Sequence, residues 1–145
     1  LGNDQDITSV LKDVCFHDEL KSMPQGQNTL VGNSGIRLSG GQQARISLAR
    51  TLLNKNKIIV LDDPFSAVDM KTEEEIIKNL KINYKNSLVI LISHRLTIFK
   101  DVDRIVFLNN NKTADYGTHN EMLKKSEVYR SIFNLQSTGG NSYEQ

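Results

Sequence analysis

Two apolar runs in this sequence are followed by side chains that could do chemistry. Asp62 and Asp63 come directly after residues 58–61, and Ser93 separates residues 88–92 from His94. Burying unpaired carboxylates is costly, so a divalent cation is the natural partner of the two aspartates, and hard oxygen ligands favour Mg²⁺. Functional groups of open parallel sheets gather past the carboxyl ends of the strands. We therefore expect a site at this edge with Asp62 as metal ligand, although a lone acid or histidine at a strand end is more often structural.

A second candidate site is formed by five consecutive residues at the start of a predicted helix. These residues are Leu38, Ser39, Gly40, Gly41 and Gln42. The first backbone N–H groups of a helix have no intrahelical acceptor and lie at the positive end of the helix dipole, which favours an anion. Glycine lets a phosphate approach the backbone closely, and the serine adds a hydroxyl donor. On these residues alone, a glycine-rich turn that caps an ordinary helix is an equally good interpretation.

The spacing of apolar residues predicts the elements that position these groups. Helical spacing is found in residues 7–15, 17–23, 42–53, 72–82, 96–99, 120–125 and 128–135. Strands are predicted at residues 58–61, 88–92, 104–108 and 112–116. We expect the first two strands to be buried on both faces and the order of elements from 58 to 108 to form parallel βαβ units. Predicted helix caps are Asp6, a capping box of Thr72 with Glu75, and another of Thr118 with Glu121.

Composition excludes several classes of protein. The 145 residues carry a formal net charge of +1, which gives no support for nucleic acid or an anionic membrane as partner. The single cysteine excludes an internal disulfide. No apolar run approaches the roughly 20 residues needed to cross a bilayer. The sequence starts without a methionine, and its first residues are typical of the interior of a longer chain, so we expect a fragment.

The ordered set of motifs resembles the ATP-binding cassette (ABC) ATPases, over residues 1–135. Residues 38–42 match the signature motif of that family without a departure, residues 58–62 match its Walker B strand, Ser66, Ala67, Val68 and Asp69 match its D-loop, and His94 matches its switch histidine. Residues 29–35 resemble the exporter-type loop that contacts transmembrane coupling helices, with Asn33 in place of the usual glutamate. The resemblance therefore favours the exporter type.

The resemblance implies an α/β fold: part of a P-loop NTPase (RecA-like) parallel sheet flanked by helices, preceded by part of the ABC helical subdomain. We expect residues 1–57 to be the helical portion, 58–135 the RecA-like portion and 136–145 a flexible tail. The phosphate-binding pattern G-x-x-x-x-G-K-[ST] does not occur in the printed sequence. The chain by itself is therefore expected to bind ATP weakly or not at all.

The resemblance also implies how the motifs would act. Two such domains hold two ATP molecules between them, with Mg²⁺, so residues 38–42 would contact the γ-phosphate of ATP bound by the second domain. Asp62 would hold Mg²⁺ through water, and His94 would contact the γ-phosphate in the chain's own site. Ser66, Ala67 and Asp69 of the D-loop would lie at the interface between the two domains. The expected partners are a second nucleotide-binding domain and a transmembrane domain, at the cytoplasmic face of the cell membrane.

Asp63 departs from the family pattern, which usually has a glutamate as general base at this position. Aspartate is one methylene shorter, about 1.5 Å of reach, which is enough to lose a direct hydrogen bond to the attacking water. One interpretation is that Asp63 still works through a backbone adjustment or an additional water. We favour the other, in which the chain supplies the weak site of a heterodimeric exporter; a homodimer is the alternative assembly.

Two other functions fit part of the pattern. A soluble ABC ATPase of DNA repair or translation shares the signature motif, the Walker B strand and the histidine. The exporter-like loop and the near-neutral charge argue against it. A regulatory module that senses ATP without hydrolysing it is compatible with Asp63 but is disfavoured by His94 and Asp69.

Overall fold

The computed structural model describes residues 4–32, 34–109 and 113–139, and the chain divides into two compact units. The first unit comprises Leu1–Ser93 and the second comprises His94–Gln145. The subdomain boundary expected at residue 57 falls inside the first unit and stays a prediction.

The first unit contains four helices and a pair of strands in its described residues. Its elements are α1 (Asp4–Asp13), α2 (His17–Lys21), a 3₁₀ turn (Gly26–Asn28), α3 (Gly40–Leu53), β1 (Ile58–Asp62), α4 (Met70–Asn83) and β2 (Leu88–Ile92). All of these except the 3₁₀ turn were predicted. Asp6 is not a helix cap, because α1 begins at Asp4; the Asp6 carboxylate instead accepts a hydrogen bond from Lys55 at 2.9 Å.

Strands β1 and β2 are parallel and are joined through α4, which confirms the predicted βαβ unit. Their register pairs Ile58 with Leu88 and Asp62 with Ile92. The prediction that both faces are buried is wrong here. Side chains alternate between the faces of a strand, and β1 buries Ile59 and Leu61 while Ile58 and Val60 stay exposed. The described residues of this unit thus cover one face of the two-stranded sheet.

The helices of this unit pack around α1, which contacts both α3 and α4. A buried carboxylate, Asp13, ties the end of α1 to the end of α4. It accepts hydrogen bonds from the Asn83 side-chain amide at 2.7 Å and from the Tyr84 hydroxyl at 3.1 Å. Burial, together with the neighbouring Asp13 charge, raises the pKa of Tyr84 well above its usual value. This network therefore holds the C-terminal end of α4 against the end of α1.

The second unit has its own small sheet and core. It contains a 3₁₀ helix (Leu96–Asp101), β3 (Ile105–Leu108), β4 (Ala114–Gly117), α5 (His119–Lys125) and α6 (Glu127–Gly139). Its buried core consists of Leu96, Ile105, Met122 and Tyr129. The predicted capping box of Thr118 with Glu121 is confirmed at the start of α5.

Two predictions for the second unit are wrong. Strand β3 pairs antiparallel with β4 in a separate two-stranded sheet, so the parallel arrangement does not extend to residue 108. Residues 136–139 belong to α6 rather than to a flexible tail. The Gln136 side chain forms hydrogen bonds with the backbone of His94 and Leu96, at the start of the second unit. The rest of that expected tail, residues 140–145, lies outside the described residues. Within the part of the chain that the structure describes, no helix is both long enough and apolar enough to cross a membrane.

Candidate functional site

The predicted anion site lies at the N-terminus of α3, which begins at Gly40 with Ser39 as its cap. The Ser39 hydroxyl oxygen accepts a hydrogen bond from the Gln42 backbone N–H at 3.2 Å. The Gln42 side-chain oxygen accepts one from the Ser39 N–H at 2.8 Å. This capping box uses the backbone N–H groups of Ser39 and Gln42. The N–H groups of Gly40 and Gly41 are therefore the first-turn donors for which the helix itself offers no acceptor, and the Ser39 hydroxyl keeps its hydrogen to donate.

Gln42 has a structural role that the sequence did not reveal. Its side-chain oxygen closes the capping box, and its side-chain nitrogen donates to a carboxylate oxygen of Glu19 at 2.7 Å. The neighbouring Leu38 carbonyl accepts from the Gln43 side chain at 2.9 Å. The expected contact of Gln42 and Leu38 with a phosphate stays a prediction, whereas their contribution to the shape of the helix start is visible.

The loop between β1 and α4 packs against the same helix start. A Cβ atom on Gly41 would lie 2.7 Å from the Ala67 carbonyl oxygen, and one on Gly40 would lie 3.4 Å from the Ala67 Cβ. Under 3.0 Å something must shift, so only glycine fits at position 41 without moving the loop. The structure thus brings the two motifs, 38–42 and 66–69, into direct contact.

Asp69 ends this loop and caps α4. Its carboxylate accepts a hydrogen bond from the Thr72 backbone N–H at 3.0 Å, which lowers the pKa of Asp69. The predicted capping box of Thr72 with Glu75 is wrong, because α4 begins at Met70 and its cap is Asp69.

An open pocket of about 430 Å³ is formed where the two motifs meet. It is lined by Ser39, Gly40, Gly41, Arg45, Ala67, Val68 and Asp69. Backbone amides and a hydroxyl can donate hydrogen bonds to an anion here, and the glycines leave the backbone accessible. The pocket therefore offers hydrogen-bond donors of the kind that a phosphate requires.

The predicted metal site lies at the end of β1. Asp62 is exposed and Asp63 is half-buried. Asp63 has a left-handed backbone conformation with φ +42°, and its N–H donates to the Ile92 carbonyl at 2.9 Å. Aspartate and asparagine tolerate this conformation better than most residues. Among the described residues there is no group of three or more histidine, cysteine or acidic side chains that could hold a metal. Two carboxylates fit Mg²⁺ that takes its other oxygens from phosphate and water.

His94 is the first residue of the second unit, and its side chain is exposed. Its backbone carbonyl accepts a hydrogen bond from the Gln136 side chain at 2.9 Å, and the Gln136 oxygen accepts from the Leu96 N–H at 2.7 Å. Gln136 therefore fixes the backbone on both sides of Arg95. No sequence pattern indicates this contact, because 42 residues separate Gln136 from His94.

The exporter-like loop at residues 29–35 is largely exposed. Leu30 is 64% exposed, and a β-bridge joins Val31 to Ile36. A Cβ atom on Gly35 would lie 2.0 Å from the Leu30 carbonyl oxygen, so this turn requires glycine. Asn33, the departure from the family pattern, lies outside the described residues.

Comparison with known proteins identifies the family. A family model described as ABC transporter matches residues 3–66. The chain is 41% identical over 139 residues to the glutathione/L-cysteine transport system ATP-binding/permease protein CydD of Bacillus subtilis (strain 168), covering 93% of this chain and 24% of that protein. The chain belongs to the ABC transporter family. Another ABC relative, the probable multidrug resistance ATP-binding/permease protein YheI of the same organism, is 38% identical over 135 residues, 93% of this chain and 23% of that protein.

The fold agrees with this assignment to the ABC family. A solved structure of a bacterial Atm1-family ABC exporter with ATP bound matches with a TM-score of 0.82 and 29% identity, covering 94% of this chain and 24% of that one. The predicted α/β class and the exporter-type ATP-binding domain are therefore confirmed. The chain spans about a quarter of the length of the relatives described here.

Proposed function

We propose that this chain is part of the nucleotide-binding domain of an exporter that couples ATP binding and hydrolysis to transport across a membrane. One observation carries the proposal: the glycine amides at the start of α3 and the loop ending in Asp69 line the same open pocket. A helix start with accessible amides suits a phosphate. The pocket opens outward, which suits a phosphate presented by another molecule rather than one enclosed within this chain.

The residues act by positioning and by stabilising charge, as phosphoryl transfer requires. The Gly40 and Gly41 amides and the Ser39 hydroxyl would donate to the γ-phosphate of ATP bound by a second nucleotide-binding domain. Asp69 would lie at the interface with that domain. The phosphate-binding pattern does not occur in the sequence, so we expect the chain by itself to bind ATP weakly or not at all.

On the same assignment, Asp62 would hold Mg²⁺ through water, and Asp63 stands at the position of the general base. His94 would contact a γ-phosphate. Mg²⁺, when bound with the nucleotide, neutralises the charge that develops on the transferred group. Asp63 would accept the proton of the attacking water less well than a glutamate, because its carboxylate is shorter and the hydrogen bond from its N–H to Ile92 holds its backbone in place. We therefore propose that the chain serves in a heterodimer and that its own site is the slower one.

The remaining partners follow from the same assignment. The exposed loop at residues 29–35 would contact a transmembrane domain, with Leu30 as its most exposed described apolar side chain. The named relatives are ATP-binding/permease proteins, which supports a transmembrane domain in the same assembly. The chain would then lie at the cytoplasmic face of the membrane.

The test is a matched pair of substitutions in the complete transporter that contains this chain. Ser39→Asp and Ser39→Asn both keep a good helix cap, but the aspartate places a negative charge against the γ-phosphate. We expect Ser39→Asp to lower Mg²⁺-ATP turnover at least tenfold further than Ser39→Asn, at equal thermal stability. Equal turnover of the two variants would show that no phosphate is bound at the start of α3.

A further inference from the structure

We propose that Glu19, on α2, is a positioning residue for the phosphate-contacting start of α3. The inference rests on the proposed function, because it concerns the same pocket. Glu19 lies 23 residues before Gln42, belongs to none of the sequence motifs, and does not line the pocket. Its carboxylate acts through two side chains of α3.

One oxygen of Glu19 fixes the side-chain amide of Gln42. It accepts a hydrogen bond from the Gln42 side-chain nitrogen at 2.7 Å. This contact turns the amide oxygen toward the Ser39 N–H, to which it is bonded at 2.8 Å. The Ser39 N–H also selects the amide oxygen, so the Glu19 carboxylate reinforces an orientation that is then satisfied at both ends of the amide. Glu19 thereby reinforces the side-chain half of the capping box at the helix start that carries the Ser39 hydroxyl.

The other oxygen of Glu19 holds Arg45, one turn further along α3. The ion pair is 2.6 Å long, and the Arg45 side chain is only 12% exposed. The Arg45 Nε donates to the Gly41 carbonyl at 3.2 Å, and another of its nitrogens donates to the Cys15 carbonyl at 2.7 Å. The guanidinium also lies over the Phe16 ring, 5.5 Å from its centroid. Arg45 thus connects the peptide after Gly41 to the chain between α1 and α2.

The second role of Glu19 is to neutralise the charge of Arg45. Arg45 lines the pocket, and its charge is neutralised by Glu19. Without the carboxylate, the poorly hydrated cation would keep only carbonyl oxygens as hydrogen-bond acceptors, with the charge of Asp69 acting on it from the same pocket, and it would turn toward a bound phosphate. The glycine amides would then lose the fixed geometry on which transition-state stabilisation depends. Glu19 should therefore affect the rate of turnover more than the affinity for ATP.

The experiment uses the complete transporter and the isosteric variant Glu19→Gln. The matched control is Asp18→Asn, which removes the same charge from the same helix but affects an exposed pair with Lys21. We expect Glu19→Gln to lower kcat about tenfold with KM for ATP within twofold, and Asp18→Asn to leave both unchanged. Turnover is normalised to the folded, assembled fraction, measured by gel filtration and thermal unfolding.

A second variant keeps the inference testable if Glu19→Gln does not assemble. Arg45→Lys keeps the charge opposite Glu19 but loses the hydrogen bonds to the Gly41 and Cys15 carbonyls, and it should show the same selective loss of kcat. The inference is overturned if Glu19→Gln matches Asp18→Asn, or if its loss disappears on normalisation to the folded fraction. Failure of the proposed function looks different, because the unsubstituted transporter would then show no Mg²⁺-dependent ATP turnover.

Discussion

Adding one methyl group at Gly41 should disturb the chain far more than adding it at the neighbouring Gly40. The new Cβ would lie 2.7 Å from the Ala67 carbonyl oxygen at position 41, but 3.4 Å from the Ala67 Cβ at position 40. The atom that a Cβ at position 41 would meet belongs to the backbone. The loop that contains this backbone atom is held by a hydrogen bond from the Val68 N–H to the Phe65 carbonyl at 3.0 Å. A few tenths of an ångström of adjustment suffices at position 40, whereas the loop must move at position 41.

The two effects of the substitution have opposite signs. Replacing a helical glycine by alanine stabilises by about 0.5–1 kcal/mol. Overpacking against a fixed neighbour destabilises by about 1–3 kcal/mol. We therefore expect Gly41→Ala to lower the free energy of unfolding by about 1–2 kcal/mol, and Gly40→Ala to leave it unchanged or raise it by about 0.5 kcal/mol.

Urea unfolding of the chain measures this difference directly. With an unchanged m-value, a shift of the midpoint reports stability alone. A Gly41→Ala chain that is as stable as the Gly40→Ala chain would refute the reasoning, since it would show that the loop at Ala67 does not pack on the start of α3.

Three further predictions concern single residues. Asp69→Ala should lower the free energy of unfolding by about 1 kcal/mol through loss of the α4 cap, while Asp69→Asn keeps the cap. The part of this contribution that depends on the charge of the carboxylate is present above the ordinary pKa of 3.8 and is lost as the pH falls through the lowered pKa of Asp69. Burial, then the charge of Lys100, lowers the pKa of His119, so stability should fall as the pH drops below 6.5; His119→Gln should flatten this slope. In the complete transporter, Asp63→Asn should reduce ATP turnover less than the equivalent change in the partner subunit.

Each of these predictions has an outcome that contradicts it. Equal stabilities of the two Asp69 variants at pH 7 would mean that the cap contributes little. An unchanged pH slope in His119→Gln, measured by thermal unfolding between pH 5 and pH 7.5, would show that another group causes the slope. Complete loss of turnover in Asp63→Asn, equal to that of the partner's variant, would exclude a weak site in this chain.

Sequence patterns predicted the helices and strands whose formation depends on interactions between residues close together in the chain. The apolar runs around residues 60 and 90 gave β1 and β2, and their spacing across one helix predicted a parallel pair. The predicted cap of α4 was wrong because it was placed three residues too late in the chain. Thr72 with Glu75 fits a capping box, but the chain turns into the helix at Asp69, which the structure shows as the cap. A pattern of side chains does not show where the backbone changes direction.

Long-range contacts were not predictable from the sequence. The contact of Glu19 with Gln42 and that of Gln136 with His94 join residues 23 and 42 positions apart, with no periodic signal. The prediction that β1 is buried on both faces was wrong for another reason. A continuous apolar run is the same sequence pattern whether one face of the strand is covered or both are. The motif residues themselves were recognisable, because their chemistry depends on residue type and short spacing.

The central claim is that the start of α3 contacts the γ-phosphate of ATP that a second nucleotide-binding domain binds. The most direct measurement is photolabelling of both subunits of the complete transporter with an azido analogue of ATP, under conditions that trap the nucleotide after hydrolysis. With Ser39→Asp in this chain, and Ser39→Asn as control, we predict that labelling of the partner subunit's nucleotide site falls at least tenfold while labelling of this subunit's own site persists. Loss of labelling in this subunit, with the partner unaffected, would contradict the account.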